Sequence, residues 1–221
     1  MFSSAGLFSA PFGLAAPAVP APNPDAQKLI DTIRDQVAGT PPHMVYVLDI
    51  VSVRFGGYFT AEIRQELERY RYLQMLTLND CGIVSLENFP NLPALIRLDM
   101  VFNSIPGSHL HHISASKHIQ TLMLGANKID KIDELTAIKG FRQLLQLDLL
   151  NNPVVNLPGY RAQVFSMFPS LSILDTLDKV GKDAYNNSTM MEAVSRIPDS
   201  LFDKSPPPPP VPLALAPVHH K

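Results

Sequence analysis

The chain has 221 residues, 46% of them hydrophobic and 17% charged, which is enough apolar side chain for one good core. A formal net charge of −2 gives no overall basic field and excludes the footprint of an autonomous nucleic-acid binder, so no direct nucleic-acid contact is expected. The single cysteine, Cys81, excludes an internal disulfide and a cysteine-cluster zinc site, and fits a reducing compartment, nuclear or cytoplasmic.

Residues 1–24 contain no charged side chain, so they lack the basic start of a secretory signal and the arginines of a mitochondrial presequence. They read as a disordered Ala/Pro-rich tail. Prolines at positions 11, 17 and 20 break the apolar run before it reaches membrane-spanning length, and no membrane association is expected. From Asp25, DAQKLIDTIRDQV places Leu29, Ile30, Ile33 and Val37 on one side of a helix that Gly39, Pro41 and Pro42 bring to an end.

A repeating unit follows. Its clearest copy, IQTLMLGANKIDKIDEL, has apolar residues at Ile119, Leu122, Leu124, Ile129 and Ile132 with Asn127 at a fixed offset. This is the leucine-rich-repeat pattern. Val45, Leu48 and Ile50 open a degenerate first copy with Val53 at the asparagine offset, and Leu73, Leu76 and Leu78 a second with Cys81 there. Leu95, Leu98 and Met100 precede Asn103, and Leu144, Leu147 and Leu149 precede Asn152. The offsets 53, 81, 103, 127 and 152 are spaced by 28, 22, 24 and 25 residues, all within the range of about 20 to 29 for this class. The long first step contains a helix within residues 61–72, with Ile63, Leu67 and Tyr70 on one stripe.

After the fifth copy, Tyr160, Val164, Phe165 and Phe168 have helical spacing, Pro169 stops the helix, and Leu171 and Leu174 start one more strand-like step. This reads as a C-terminal cap, with Phe165 in its core. The entry helix is its counterpart, covering the open end of the array. The last segment holds Pro206, Pro207, Pro208, Pro209, Pro210 and Pro212, a stretch suited to polyproline II and to the aromatic grooves of polyproline-binding domains, or to use as a spacer. The expected organisation is a disordered tail over residues 1–24, a capped repeat domain over 25–185 and a mostly disordered Pro-rich tail over 186–221. The fold class is α/β, a leucine-rich-repeat solenoid with a parallel concave sheet, an N-terminal helical cap and a C-terminal cap.

The order of unequal steps, the segments GTPPHMVYVLDI, ERYRYLQML and NSIPGSHLHHISASKHIQTLMLGANKI, and the cap residues Tyr160, Arg161, Val164, Phe165, Pro169, Leu171, Leu174, Asp175 and Asp178 resemble the acidic leucine-rich nuclear phosphoproteins. The resemblance covers about residues 25–183. It implies a non-enzymatic regulator of nucleus and cytoplasm that binds proteins, among them histones and phosphatase catalytic subunits. The cap also resembles that of the spliceosomal A-prime protein, which keeps a second reading open: a structural subunit of a large assembly. The chain departs from the family after the cap. Residues 186–221 carry Glu192, Asp199 and Asp203 against Arg196, Lys204 and Lys221, so the acidic tail for which the family is named is absent from this stretch.

Alternation along the strands assigns an outward, concave row to each copy: Val47, Asp49 and Val51; Met75, Thr77 and Asn79; Arg97, Asp99 and Val101; Thr121, Met123 and Gly125; Gln146, Asp148 and Leu150. Exposed Val, Met and Leu in an array suit a protein partner, and the three aspartates either meet its lysines and arginines or keep an exposed sheet soluble. His109, His111 and His112 form a cluster that lacks evident further ligands, so no metal site, cofactor or catalytic group is assigned. Cys81 reads as a core thiol.

Overall fold

The structure, a computed structural model, describes residues 24–184. Helix α1 (Pro24–Gln36) buries Ala26, Leu29, Ile30 and Ile33, as its apolar spacing requires, and Pro24, placed in the tail by composition, is its first residue. Five parallel strands follow in chain order, β1 (Val47–Val51), β2 (Met75–Asn79), β3 (Arg97–Asp99), β4 (Thr121–Met123) and β5 (Gln146–Asp148). Helix α2 (Ala61–Glu68) fills the long first step, with the Thr60 hydroxyl accepting from the Ile63 amide at its start. The step to β3 holds no helix, and the later ones hold short 3-10 segments, Gly107–Ile113, Ile132–Ile138 and Pro153–Asn156. The C-terminal cap contains α3 (Tyr160–Met167), a sixth parallel strand β6 (Ile173–Leu174) and then β7 (Leu177–Asp178). The pair β6–β7 is antiparallel, so the sheet is parallel through six strands and ends in a hairpin that the repeat spacing did not announce.

The core is one continuous cluster running from Leu29 in α1 to Leu174 in β6. Leu48, Leu76, Leu98, Leu122 and Leu147 stand in register and are fully buried, each roofed by the convex segment of its own copy. Backbone groups at the bends are satisfied by the offset residue. Asn127 Nδ2 donates to the carbonyls of Met100 and Leu124 at 2.9 Å each, while its Oδ1 accepts the Ile105 amide at 3.0 Å. Asn103 and Asn152 repeat the arrangement one copy either side. At Cys81 the thiol points at the carbonyls of Asn79 and Ile50, 3.4 and 3.6 Å away, supplying the donor half of that role and no acceptor.

Both ends are closed by side chains. Gln36 at the end of α1 lays its carboxamide on the free edge of β1, donating to the Asp49 carbonyl at 3.0 Å and accepting the Asp49 amide at 3.1 Å. Buried Glu66 joins α1 to α2: one oxygen takes Arg34 at 2.7 Å, the other takes Arg69 at 2.8 Å and the Tyr70 hydroxyl at 2.9 Å. Burial pushes the Glu66 carboxyl up, and those three donors more than reverse it, leaving it below its ordinary value. Tyr70, buried and bonded to the carboxylate, is pushed up to about 12. At the other end Tyr160 donates to Asp175 Oδ2 at 2.9 Å, and Asp175 Oδ1 accepts the Leu149 amide at 2.7 Å. Phe165, expected in the cap core, is only half-buried, with Arg161 and Lys179 near its ring; the buried aromatics of the cap are Tyr160 and Phe168.

Replacing Asn127 with Ala strands the buried Ile105 amide, worth about 1–3 kcal/mol when left unpaired, while the Met100 and Leu124 carbonyls keep the Asn103 and Asn152 amides, so the urea midpoint falls. An N127A midpoint near that of the native chain would show the ladder to be dispensable. In the cap, Phe168→Ala costs about 3–5 kcal/mol and Phe165→Ala clearly less, measured by the same denaturation; equal losses would contradict the burial described.

Candidate functional site

Strand pairing brings the outward residues into rows across the sheet. Val47, Met75, Arg97, Thr121 and Gln146 form the first, and Asp49, Thr77, Asp99, Met123 and Asp148 the second. A third, at the ends of the strands, has Val51 opposite Asn79 and continues through Val101, Gly125 and Leu150 at the same repeat offset. The residues that alternation assigns to the concave side thus fall on common rows. Exposure is less even. Val47, Asp49, Val51 and Leu150 are open to solvent, Met75, Asn79, Arg97, Val101, Thr121, Met123 and Gln146 partly so, and Thr77, Asp99 and Asp148 are buried, the two aspartates at 7% and 9% exposure. Two of the three aspartates are thus recessed, because parallel strands about 4.8 Å apart crowd their side chains on the inside of the curve.

The recessed carboxylates differ in their company. Asp99 is gripped by Arg97, two residues earlier on its own strand, through Nε at 3.0 Å and Nη2 at 2.8 Å. In β5 the place corresponding to Arg97 is Gln146, which is neutral. Asp148 Oδ1 accepts the Leu150 amide at 3.0 Å, and Oδ2 stands 2.7 Å from where a Cβ on residue 125 would be. Only glycine fits there, so Gly125 and Asp148 depend on one another. Burial pushes the Asp148 carboxyl above its ordinary value, and Asp175 and Asp99 push it the same way. Asp99 is also raised, by burial first and by Asp49, with Arg97 opposing.

At the rim, one residue before each asparagine offset has positive φ: Ser52, Asp80, Phe102, Ala126 and Asn151, from 53° to 59°. The turn aims its amide sideways. Ser52, Asp80, Phe102 and Ala126 donate to the carbonyls of Asn79, Val101, Gly125 and Leu150, at 2.7 to 3.0 Å. Asp80 and Asn151 tolerate this conformation; Ser52, Phe102 and Ala126 carry its strain, of order 1–2 kcal/mol each, and Phe102 is the bulky one. It is nonetheless 64% exposed and returns little to the core. Asp80 beside it is tied to Ser52 and Arg54 at 2.9 and 2.6 Å. Strand alternation does not single out Phe102, since it lies beyond the strand. The available signal is an aromatic residue at an offset otherwise held by Ser, Asp, Ala and Asn.

The histidine cluster falls on the convex 3-10 turn Gly107–Ile113, where the His111 and His112 rings lie 3.9 Å apart and His109 Nδ1 faces the Leu86 amide. Among the described residues no group of three or more His, Cys, Asp or Glu is gathered as a metal site, and no helix is long and apolar enough to cross a membrane. Cys81 is buried and its thiol is pushed up by that burial. The proline run Pro206–Pro210 with Pro212 lies outside the described residues.

A carboxyl raised in the folded chain favours folding when protonated, so its contribution is present at low pH and is lost as pH rises through the raised value. Asp148→Asn keeps an oxygen for the Leu150 amide and removes the charge. At neutral pH this variant melts above the native chain, and the gap closes as pH falls toward about 4, by scanning calorimetry. A gap that does not change with pH would count against the electrostatic account of Asp148.

A leucine-rich repeat family model matches residues 56–194. A protein of Tetrahymena thermophila that carries the name of a histone is 52% identical over 181 residues, covering 82% of this chain and 46% of that protein. The acidic leucine-rich nuclear phosphoprotein 32 family member A of Drosophila melanogaster is 37% identical over 111 residues, covering 50% of this chain and 42% of the relative. The chain thus spans less than half the length of these two relatives. Among solved structures, a chain in the Drosophila melanogaster SNF/U2A′ complex superposes with a TM-score of 0.52 at 22% identity, covering 68% of this chain and 87% of that one, a likeness of fold. By its repeat ladder, its cap and these matches, the chain belongs to the leucine-rich repeat family and is similar, within it, to the acidic leucine-rich nuclear phosphoproteins.

Proposed function

We propose that the chain is a non-enzymatic adaptor that holds a basic segment of a partner protein, a histone in the first instance, on its concave sheet in the nucleus. The observation that carries this reading is the composition of that sheet. Asp49, Asp99 and Asp148 line one row, Arg97 is the sole basic residue among the three rows, and apolar Val47, Val51 and Leu150 are exposed around them. A surface of this kind suits a segment with alternating cationic and apolar side chains. The names of the relatives support the setting: one is named as a histone, others as nuclear phosphoproteins. A phosphatase catalytic subunit is a further candidate from the same resemblance, and the Pro206–Pro212 stretch is proposed as a separate ligand for a polyproline-binding domain. The fold likeness to a chain of the SNF/U2A′ complex keeps the assembly-subunit reading as the second one.

The test is calorimetric titration of the full chain with purified core histones, as the histone dimer and as the histone tetramer, repeated across salt concentrations. Micromolar or tighter binding that weakens with salt is expected, and the charge reversal Asp49→Lys, at the exposed end of the row, should weaken it by about tenfold. No binding by the native chain, or equal binding by D49K, would remove the histone reading of this face.

A further inference from the structure

Three features meet at Gly125. On one side its carbonyl accepts the Phe102 amide at 3.0 Å, so the strained, exposed aromatic is its ladder neighbour. On the other side the Asp148 carboxylate leans over it, in the space that any side chain on residue 125 would occupy. Val101 Cγ1 is 3.4 Å from that same position, and the next rim residue, Ala126, is small. Gly125 is therefore covered by an acidic oxygen that fills the place of a side chain, with apolar Val101 and the exposed Phe102 ring alongside.

We propose that Phe102, Gly125 and Asp148 form a subsite for a single lysine or arginine side chain of the partner protein, whose aliphatic stem lies along Phe102 across Gly125 and whose cation meets the Asp148 carboxylate. This rests on the reading of the concave sheet given above and locates its anchor. Charge complementarity selects the occupant. Asp99, two copies earlier, has its cation supplied by Arg97 of its own strand, and the same place before Asp148 is the neutral Gln146. The groups acting on Asp148 are Asp99, Asp175 and the Leu150 amide, with no cation of the described residues among them, so an incoming cation is the group that would relieve it. The stem needs an apolar surface, and an exposed ring over which a guanidinium or ammonium chain can lie supplies it. Phe102 is held at a backbone conformation it disfavours and is mostly outside the core, which is the pattern of a residue kept for contact rather than for folding.

The variant Phe102→Asn separates the two roles, since asparagine accepts positive φ. With the core histone dimer as probe, F102N should melt no lower than the native chain and bind at least about tenfold more weakly. Asp148→Asn should also weaken binding, and the double variant should lose less than the product of the two single losses, because both remove one subsite. Acetylating the lysines of the dimer, or mutating its arginines, identifies which cation is used. F102N binding like the native chain, while D49K does not, would overturn the subsite and leave the concave-face reading standing. Fully multiplicative losses in the double variant would overturn the shared subsite as well. No binding of either the dimer or the tetramer by the native chain would overturn both.

Discussion

A buried asparagine amide that bonds at once to its own coil and to the one before it is the interaction on which this structure depends. Each bend of the solenoid turns backbone donors and acceptors inward, away from water, where an unpaired group costs about 1–3 kcal/mol. Asn103, Asn127 and Asn152 satisfy them, and in doing so fix the distance and register between neighbouring copies. Register in turn places every fully buried leucine of the sheet in line and every outward residue on a row. The concave face is therefore a by-product of how the bends are satisfied.

The first two copies lack that amide, with Val53 and Cys81 at its place, and the chain compensates with helices. There α2 occupies the long step, Glu66 gathers Arg34, Arg69 and Tyr70, and the rings of Phe55, Phe59 and Phe89 pack edge to face. The N-terminal half is thus held by side chains of distant origin and the C-terminal half by a local, repeating device. In a stack where each unit touches only its neighbours, stability is a sum over such links.

The repeat copies, their offsets and the identity of the outward rows were legible in the sequence, because period-two alternation and a recurring asparagine are local signals. The degree of exposure was not. Thr77, Asp99 and Asp148 alternate outward as Asp49 does, yet Arg97 folds over Asp99 and the curve of the sheet recesses the other two. For Thr77 and Asp148 the covering comes from neighbours in adjacent coils, at a sequence distance of about one repeat, while Arg97 lies two residues from Asp99 and alternation says nothing of its folding back. Phe165 shows the limit of helical spacing, which put it beside Val164 and Phe168; it is half-buried against the core, with Arg161 and Lys179 near its ring. The rim turn escaped because positive φ at non-glycine residues leaves little mark on composition.

The Gln36 carboxamide on the edge of β1 also fixes a length. By occupying the donor and acceptor at Asp49 it stands where a preceding strand would pair, and at the far end the antiparallel β7 closes the series, so among the described residues the parallel coils run from β1 to β6. Six parallel strands about 4.8 Å apart leave an inner face about 24 Å across, the span of roughly 16 helical residues. The fold is in that sense a ruler: a helical segment laid side-on across it would match the face over about four and a half turns.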